Sequence, residues 1–158
     1  MIKTLIIYDS LYGNTEKVAL AIASVIPQAK AEPASAVHLL DLKALDLLIV
    51  GSPVHGGRPS QKVQEFLNKI PATGLKGIAV VVFDTRFLAK DQNFALRLLM
   101  KIIGYTAPKI ATSLKTKGGD LIVPAEGFIV KGKEGPLKDG ELVRARSWAK
   151  QILKAAKK

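Results

Sequence analysis

Three stretches of the sequence are apolar almost without interruption, and they restrict the fold more than any other feature. They are Lys3–Tyr8, Leu45–Gly51 and Gly77–Phe83. A strand with one face in solvent alternates apolar and polar residues, whereas a continuously apolar strand is covered on both faces. Such strands are typical of parallel sheets with helices on each side. The sequence therefore predicts an α/β fold.

Segments with apolar residues at helical spacing alternate with these strands. They predict helices at Asn14–Ile26, Ser60–Ile70, Asp91–Ile103 and Pro108–Lys117, and a last one that begins near Asp139. Ser60 and Asp139 are candidate N-caps, and Gly118-Gly119 is a helix stop. Shorter strands are predicted at Ala36–Leu40, Asp120–Val123 and Phe128–Val130. The 158 residues thus predict one doubly wound domain with about five parallel strands.

Ligands of doubly wound sheets bind outside the carboxyl ends of the strands. The loops at that edge are expected to be Asp9–Thr15, Gly51–Ser60 and Asp84–Lys90. The first loop is rich in hydroxyl groups, contains no Lys or Arg, and opens onto a helix. The free N–H groups and dipole of a helix N-terminus favour an anion, so this loop is expected to hold a phosphate through hydrogen bonds.

The first loop also excludes other nucleotide sites. It lacks the G-x-x-x-x-G-K-[ST] pattern of Walker-type loops and the G-x-G-x-x-G pattern of dinucleotide-binding loops. A receiver domain is disfavoured because Asp9 is a lone acid and Gly51-Ser52 stands where a phosphoacceptor would be needed. The remaining alternative is an ordinary capping turn in which Ser10 and Thr15 satisfy only the helix.

The stretch Ser10-Leu11-Tyr12-Gly13-Asn14-Thr15 resembles the phosphate loop of the flavodoxins, which bind FMN. Gly51–Ser60 resembles the second flavin loop of that family, and Phe83–Phe87 resembles the third. The resemblance extends over the whole chain, including Lys117–Gly119 and Glu126–Phe128. It implies a single flavodoxin-like domain over residues 1–158, with strand order 2-1-3-4-5 and helices on both faces, that mediates electron transfer through bound FMN.

The resemblance also assigns roles to residues in each loop. The phosphate would be held by Ser10, Tyr12, Gly13, Asn14, Thr15 and the backbone N–H of Leu11. One side of the isoalloxazine ring would be lined by Pro53, Val54, His55, Gly56 and Gly57, and the other by Thr85, Arg86 and Phe87. Glycine permits the close approach of backbone to a flat ring. No metal ligand and no catalytic residue is implied.

His55 is a departure from the family pattern, since many flavodoxins have Trp or Tyr against the ring in the second loop. Phe87 could supply the second stacking side chain. Weaker stacking implies weaker FMN binding or a ring face open to a substrate. His38 is expected in the second strand, away from all three loops, and Tyr105 and Trp148 are expected to have packing roles.

The formal net charge of +11 is the second departure, because electron-carrying flavodoxins are typically acidic. Positive charge stabilises the anion that forms on reduced flavin. Arg58 and Arg86 lie in the ring-side loops, so the second one-electron reduction is expected to be less reducing than in an acidic flavodoxin. The charge also implies a redox partner with an acidic docking surface, or an anionic small-molecule substrate. Nucleic acid is not expected, because aromatic residues are not interleaved with the lysines.

The composition narrows the remaining function classes. The chain contains no cysteine, so any redox chemistry must come from a bound cofactor. No apolar run is long enough to span a bilayer, and the first residues do not resemble a signal peptide, so a cytoplasmic protein is expected. Two alternatives to an electron carrier stay open: an FMN-dependent NAD(P)H or quinone oxidoreductase, and a flavin-free binding protein on the same fold.

Overall fold

The computed structural model describes residues 1–87 and 106–158. The strands in the described residues are β1 (Thr4–Tyr8), β2 (Lys30–Pro33), β3 (Leu47–Pro53), β4 (Ala79–Phe87), β5 (Asp120–Leu121) and β6 (Glu126–Val130). The α-helices there are α1 (Asn14–Ala23), α2 (Gln61–Lys69), α3 (Thr106–Thr116) and α4 (Glu141–Ala156). Two short 3₁₀ helices follow β2, at Ala34–Ala36 and Leu39–Leu42.

All strand pairs of the sheet are parallel, in the order β2-β1-β3-β4-β5, and β6 also pairs with β4. β5 pairs with the start of β4 and β6 with its end, so the two form one interrupted edge strand. The predicted parallel sheet and its order 2-1-3-4-5 are confirmed. β1, β3 and β4 all end at one edge, which brings the loops that follow them together.

Alternate residues of the central strands serve two separate cores, which explains why these strands are apolar throughout. Leu5 and Ile7 of β1 face α2 and α3, whereas Ile6 and Tyr8 face α1 and α4. The strand cores of β3 and β4 are likewise buried on both faces. Both faces of the sheet are therefore covered, as the continuous apolar runs predict.

An aromatic cluster anchors β6 and α4 to β4. Phe128 lies 5.9 Å from Phe83 and 5.7 Å from Trp148 between ring centroids, in edge-on geometry. Arg144 of α4 lies 4.4 Å from the Phe128 ring centroid and donates hydrogen bonds to Glu141. Trp148 is buried, which confirms its packing role. Burial acts to raise the pKa of Glu141, but the bonds from Arg144 and from the Ile129 N–H outweigh it and lower that pKa.

Two predicted elements are wrong. The second strand is Lys30–Pro33 and not Ala36–Leu40, which forms 3₁₀ turns and loop, so His38 lies outside the sheet and its N–H donates to Asp41. An edge strand is only partly covered and does not need to be continuously apolar. A search for apolar runs in the sequence therefore does not find β2. Asp139 is not the cap of α4, because Gly140 holds that place with φ +87° and Asp139 pairs with Lys131 at 3.4 Å.

Two predicted helix ends are confirmed. The Ser60 hydroxyl accepts a hydrogen bond from the Val63 N–H at the start of α2. α3 ends before Gly118, whose φ of +95° is the left-handed conformation of a helix stop. The predicted helix Asp91–Ile103 and Tyr105 lie outside the described residues.

Candidate functional site

The three predicted loops surround one cavity of about 420 Å³ at the carboxyl edge of the sheet. That volume falls within the range of small-molecule sites, about 300–1,000 Å³. The first loop contributes Ser10, Leu11, Tyr12, Asn14 and Thr15 to its walls. The second and third loops contribute Pro53, Val54, His55, Gly56, Thr85 and Phe87. The cavity thus has a polar end at α1 and a mostly apolar end beside β3 and β4.

The polar end is built from backbone N–H groups at the start of α1. Gly13 is the N-cap residue and has φ +88°, a conformation that other residues adopt only with strain. The first helical hydrogen bond of α1 runs from the Lys17 N–H to the Gly13 carbonyl oxygen at 3.1 Å. The N–H groups of Asn14 and Thr15 come before it in the chain and have no acceptor within the helix. The Ser10 hydroxyl accepts from the Glu16 N–H at 3.2 Å and tightens the loop. This is an anion-binding geometry.

Two side chains of the first loop tie it to distant parts of the chain. The hydroxyl oxygens of Thr15 and Thr85 lie 2.7 Å apart in a hydrogen bond, and both residues are buried. The Asn14 amide donates to the Glu134 carbonyl oxygen at 3.1 Å. The loop therefore does more than cap its own helix, which argues against the ordinary-turn alternative.

The second loop forms a tight hairpin turn over residues 55–58. His55 and Arg58 exchange both backbone N–H···O bonds at 3.0 Å, and the two residues between them, Gly56 and Gly57, have φ +58° and +75°. Positive φ at both central positions is the type I′ turn, which glycine makes without strain. Lys109 donates to the Gly57 carbonyl oxygen at 2.5 Å and anchors the turn to α3. His55 is exposed on this turn and lines the cavity.

Arg86 occupies the opposite face of β4 from Thr85 and Phe87, as strand alternation requires. It donates two hydrogen bonds to the buried Asp84, at 2.7 and 2.9 Å, and does not line the cavity. Asp84 also accepts from the Ala107 N–H at 2.8 Å and so caps α3. Burial raises the pKa of Asp84, although Arg86 and the Ala107 N–H act against the shift.

Gly13 and Gly57 shape their loops without contributing to the cavity walls. Of the sequence-predicted site residues, the structure gathers all except Gly13, Gly57 and Arg86 around one cavity. Their contacts with a flavin stay predictions.

Two wall residues escape the sequence analysis, Val130 at the end of β6 and Lys133 in the loop after it. Phe87 pairs with Val130 in the sheet register, so the apolar wall continues from β4 onto β6. Both residues could have been predicted, because ligands bind at the carboxyl ends of the strands and the loop after the last strand opens at that same edge.

A second cavity of about 820 Å³ lies at the other end of β1 and β2. Its walls include the first five residues, Lys30 and Asp41. It faces the amino ends of the strands, where doubly wound sheets do not place their ligands. The smaller cavity is therefore the candidate site.

The family model of the flavodoxin domain matches residues 5–124, about three-quarters of the chain. The chain belongs to the flavodoxin family. Its matched region contains the first two loops, the Thr85–Phe87 segment, β3 and β4, and all of β1 except Thr4. No curated protein matches the chain.

Within the residues that the structure describes, no group of three or more His, Asp or Glu side chains is arranged to hold a metal, and no helix could cross a membrane.

Solved flavodoxin structures share this fold over nearly their whole length. A flavodoxin from the domain Archaea is 18% identical, with a TM-score of 0.75, and the match covers 99% of this chain and 100% of that one. A WrbA-like flavodoxin from Agrobacterium tumefaciens is 20% identical, with a TM-score of 0.74 and coverages of 99% and 98%. Flavodoxin 2 from Bacillus cereus is also 20% identical, with a TM-score of 0.74, and the match covers 96% of this chain and 98% of that one. At these identities the likeness shows the fold.

FMN is the cofactor of the family, and the residues present fit it. The N–H groups of Asn14 and Thr15, which have no acceptor among the described residues, suit a dianionic phosphate. The flat ring requires an apolar slot, which Pro53, Val54, Phe87 and Val130 provide. As a member of the flavodoxin family, the chain is an FMN-binding electron-transfer protein.

Proposed function

We propose that FMN occupies the three-loop cavity, with its phosphate on the first turn of α1 and its ring between the His55 turn and Phe87. The observation that supports this most is the division of one cavity into a hydrogen-bonding end and an apolar end. A ligand with a charged phosphate and a flat aromatic ring satisfies both. The whole chain, residues 1–158, would act as one domain in this function.

Each loop would then have its own task. The N–H groups of Asn14 and Thr15 hold the phosphate, and Thr85 keeps that loop in place through Thr15. The type I′ turn positions His55 at one side of the ring, and Phe87 packs at the other. The bound FMN supplies the ability to accept and release single electrons or pairs. The protein controls orientation, water access and local charge.

The rim of the cavity favours an acidic redox partner. Leu11, Tyr12 and Phe87 are large exposed apolar side chains at the cavity mouth. Cationic side chains lie nearby at Arg58, Lys109 and Lys133. An apolar centre with a basic rim matches a partner surface with an apolar centre and acidic rim. We propose that electrons pass across this surface, in the cytoplasm.

A second candidate is an FMN-dependent oxidoreductase that acts on NAD(P)H or a quinone-like substrate. The observation that favours it is the exposure of His55, a smaller ring than the Trp or Tyr of many flavodoxins. A less covered flavin leaves room for a substrate. Against it, no Asp or Glu lines the cavity within the described residues, so His55 has no carboxylate there with which to form an acid–base pair. The carrier therefore remains the better-supported function.

Anaerobic redox titration together with an NAD(P)H oxidation assay tests this choice. We expect the purified protein to carry FMN, to oxidise NADH and NADPH no faster than free FMN does, and to have a second one-electron potential less negative than that of an acidic flavodoxin. The positive charge that stabilises the reduced flavin is expected from Arg58, which lies on the turn opposite His55, because Arg86 is committed to Asp84. Substrate turnover with saturation kinetics would favour the oxidoreductase, and a strongly negative second potential would contradict the electrostatic account.

A further inference from the structure

The loop at residues 131–136 lies across the polar end of the cavity and is fixed there by Asn14. The Asn14 amide donates to the Glu134 carbonyl oxygen at 3.1 Å. Gly135 passes so close that a Cβ on it would lie 2.6 Å from the Asn14 Oδ1 atom, and its φ of +104° also favours glycine. The loop is closed on itself by Lys131 N–H to Pro136 O at 2.8 Å and Gly135 N–H to Gly132 O at 3.0 Å. Its position over the start of α1 is thus well defined.

This docking brings a cation to the polar end of the cavity, where the first loop contains no Lys or Arg. Lys133 lines the same cavity as Ser10, Asn14 and Thr15. The Glu16 carboxylate accepts a hydrogen bond from the Tyr8 hydroxyl at 3.1 Å, and Asp139 pairs with Lys131 at 3.4 Å. Lys133 forms no ion pair with any residue in ranges 1–87 and 106–158. Its ammonium group is available for an anion in the cavity.

We propose that Lys133 binds the phosphate of FMN, and that Asn14 is the positioning residue that places it. The inference rests on the proposed function. The phosphate is a dianion, and the loop after β1 offers it only neutral donors. A lysine ammonium adds a charge-assisted hydrogen bond and part of the neutralising charge. The Asn14 side chain, expected to hold the phosphate itself, instead holds the loop that carries Lys133.

The test compares Lys133→Gln with Lys131→Gln, which removes the same charge from the same loop outside the cavity. Dissociation constants for FMN and for riboflavin, which lacks the phosphate, are measured by quenching of flavin fluorescence at low and high salt. We expect Lys133→Gln to weaken FMN binding about three- to fivefold, the upper part of the range for a solvent-exposed ion pair. It should flatten the salt dependence and leave riboflavin binding unchanged. Lys131→Gln should alter both affinities by less than twofold, and Lys133→Arg should retain most of the FMN affinity.

Several results would overturn the proposal. Equal losses for FMN and riboflavin would show that Lys133 acts on the ring or on folding, and equal losses in Lys133→Gln and Lys131→Gln would show a general charge effect. If the wild-type protein binds FMN but Lys133→Gln does not differ from it, only this inference fails. If the wild-type protein binds neither flavin, the proposed function fails as well.

The role of Asn14 is tested by a double-mutant cycle with Lys133. In the Asn14→Ala background the loop loses its anchor, so Lys133→Gln should cost less FMN affinity than it does in the wild type, and the salt dependence should already be flattened. A purely structural role of Asn14 would leave the salt dependence of FMN binding intact. Strict additivity of the two changes would overturn the positioning role.

Discussion

The Thr15–Thr85 hydrogen bond is the contact at residue scale that most directly joins two parts of the site. Both residues are buried and their hydroxyl oxygens lie 2.7 Å apart, so each hydroxyl depends on the other. Thr15 belongs to the phosphate end and Thr85 to β4, which makes this bond the link between the two ends of the cavity. A buried hydroxyl that loses its partner has a desolvation cost and nothing to offset it.

Replacing either threonine with valine should therefore lower the free energy of unfolding by about 1–2 kcal/mol. Replacing both should lower it by no more than a single replacement does. Valine keeps the branched shape, so the single variants leave one hydroxyl unpaired and the double variant leaves none. Urea denaturation of the three variants measures the effect. Additive losses in the double variant would mean that the two hydroxyls do not depend on each other.

Side-chain contacts between residues far apart in the chain could not be predicted from the sequence. Asn14 and Thr15 stay predicted phosphate ligands, and their side chains also bind Glu134 and Thr85, 120 and 70 residues away. Arg86 was assigned to the ring from its place in the loop, yet strand alternation points it to Asp84. A loop motif reflects local backbone conformation, whereas side-chain partners depend on residues that the fold brings from elsewhere in the sequence.

At the scale of elements, two helices begin in the same unusual way. Gly13 precedes α1 with φ +88° and Gly140 precedes α4 with φ +87°, and a Cβ at either position would meet no atom within 4 Å. Any effect of an added methyl group must then come from backbone strain alone. Only Gly13 belongs to a loop of the cavity, so the two positions form a matched pair.

Gly13→Ala and Gly140→Ala should each lower the free energy of unfolding by about 1–2 kcal/mol, the cost of the left-handed conformation for a residue with a Cβ. Gly13→Ala alone should also weaken FMN binding, because it shifts the N–H groups at the start of α1. Thermal unfolding and FMN titration of both variants check this. Equal FMN affinities in the two variants would show that the Gly13 conformation is not needed for the site.

The elements themselves were predictable where burial is complete and less so where it is partial. β1, β3 and β4 were found because both faces of each are covered. β2 was misplaced because it is an edge strand whose residues are only half buried or exposed. The sequence predicts two separate short strands for the interrupted edge formed by β5 and β6, since pairing to one common neighbour leaves no local signal.

At the scale of the whole molecule, the sheet order places the ends of β1, β3, β4 and β6 side by side. Four loops from across the sequence therefore share one cavity, although none of them contains a complete site. The net charge of +11 is distributed so that Lys133 is at the cavity and Arg58 is on the turn beside it. The fold thus brings four loops and these basic side chains to one edge of the sheet.

The structure of the FMN complex, by crystallography of the loaded protein, tests the central claim most directly. The account predicts phosphate oxygens about 2.7–3.1 Å from the N–H groups of Asn14 and Thr15, with the Lys133 ammonium on the same phosphate. It predicts the ring between the His55 turn and Phe87. A flavin bound instead in the larger cavity at the amino ends of β1 and β2, or one whose phosphate lies away from the start of α1, would contradict it.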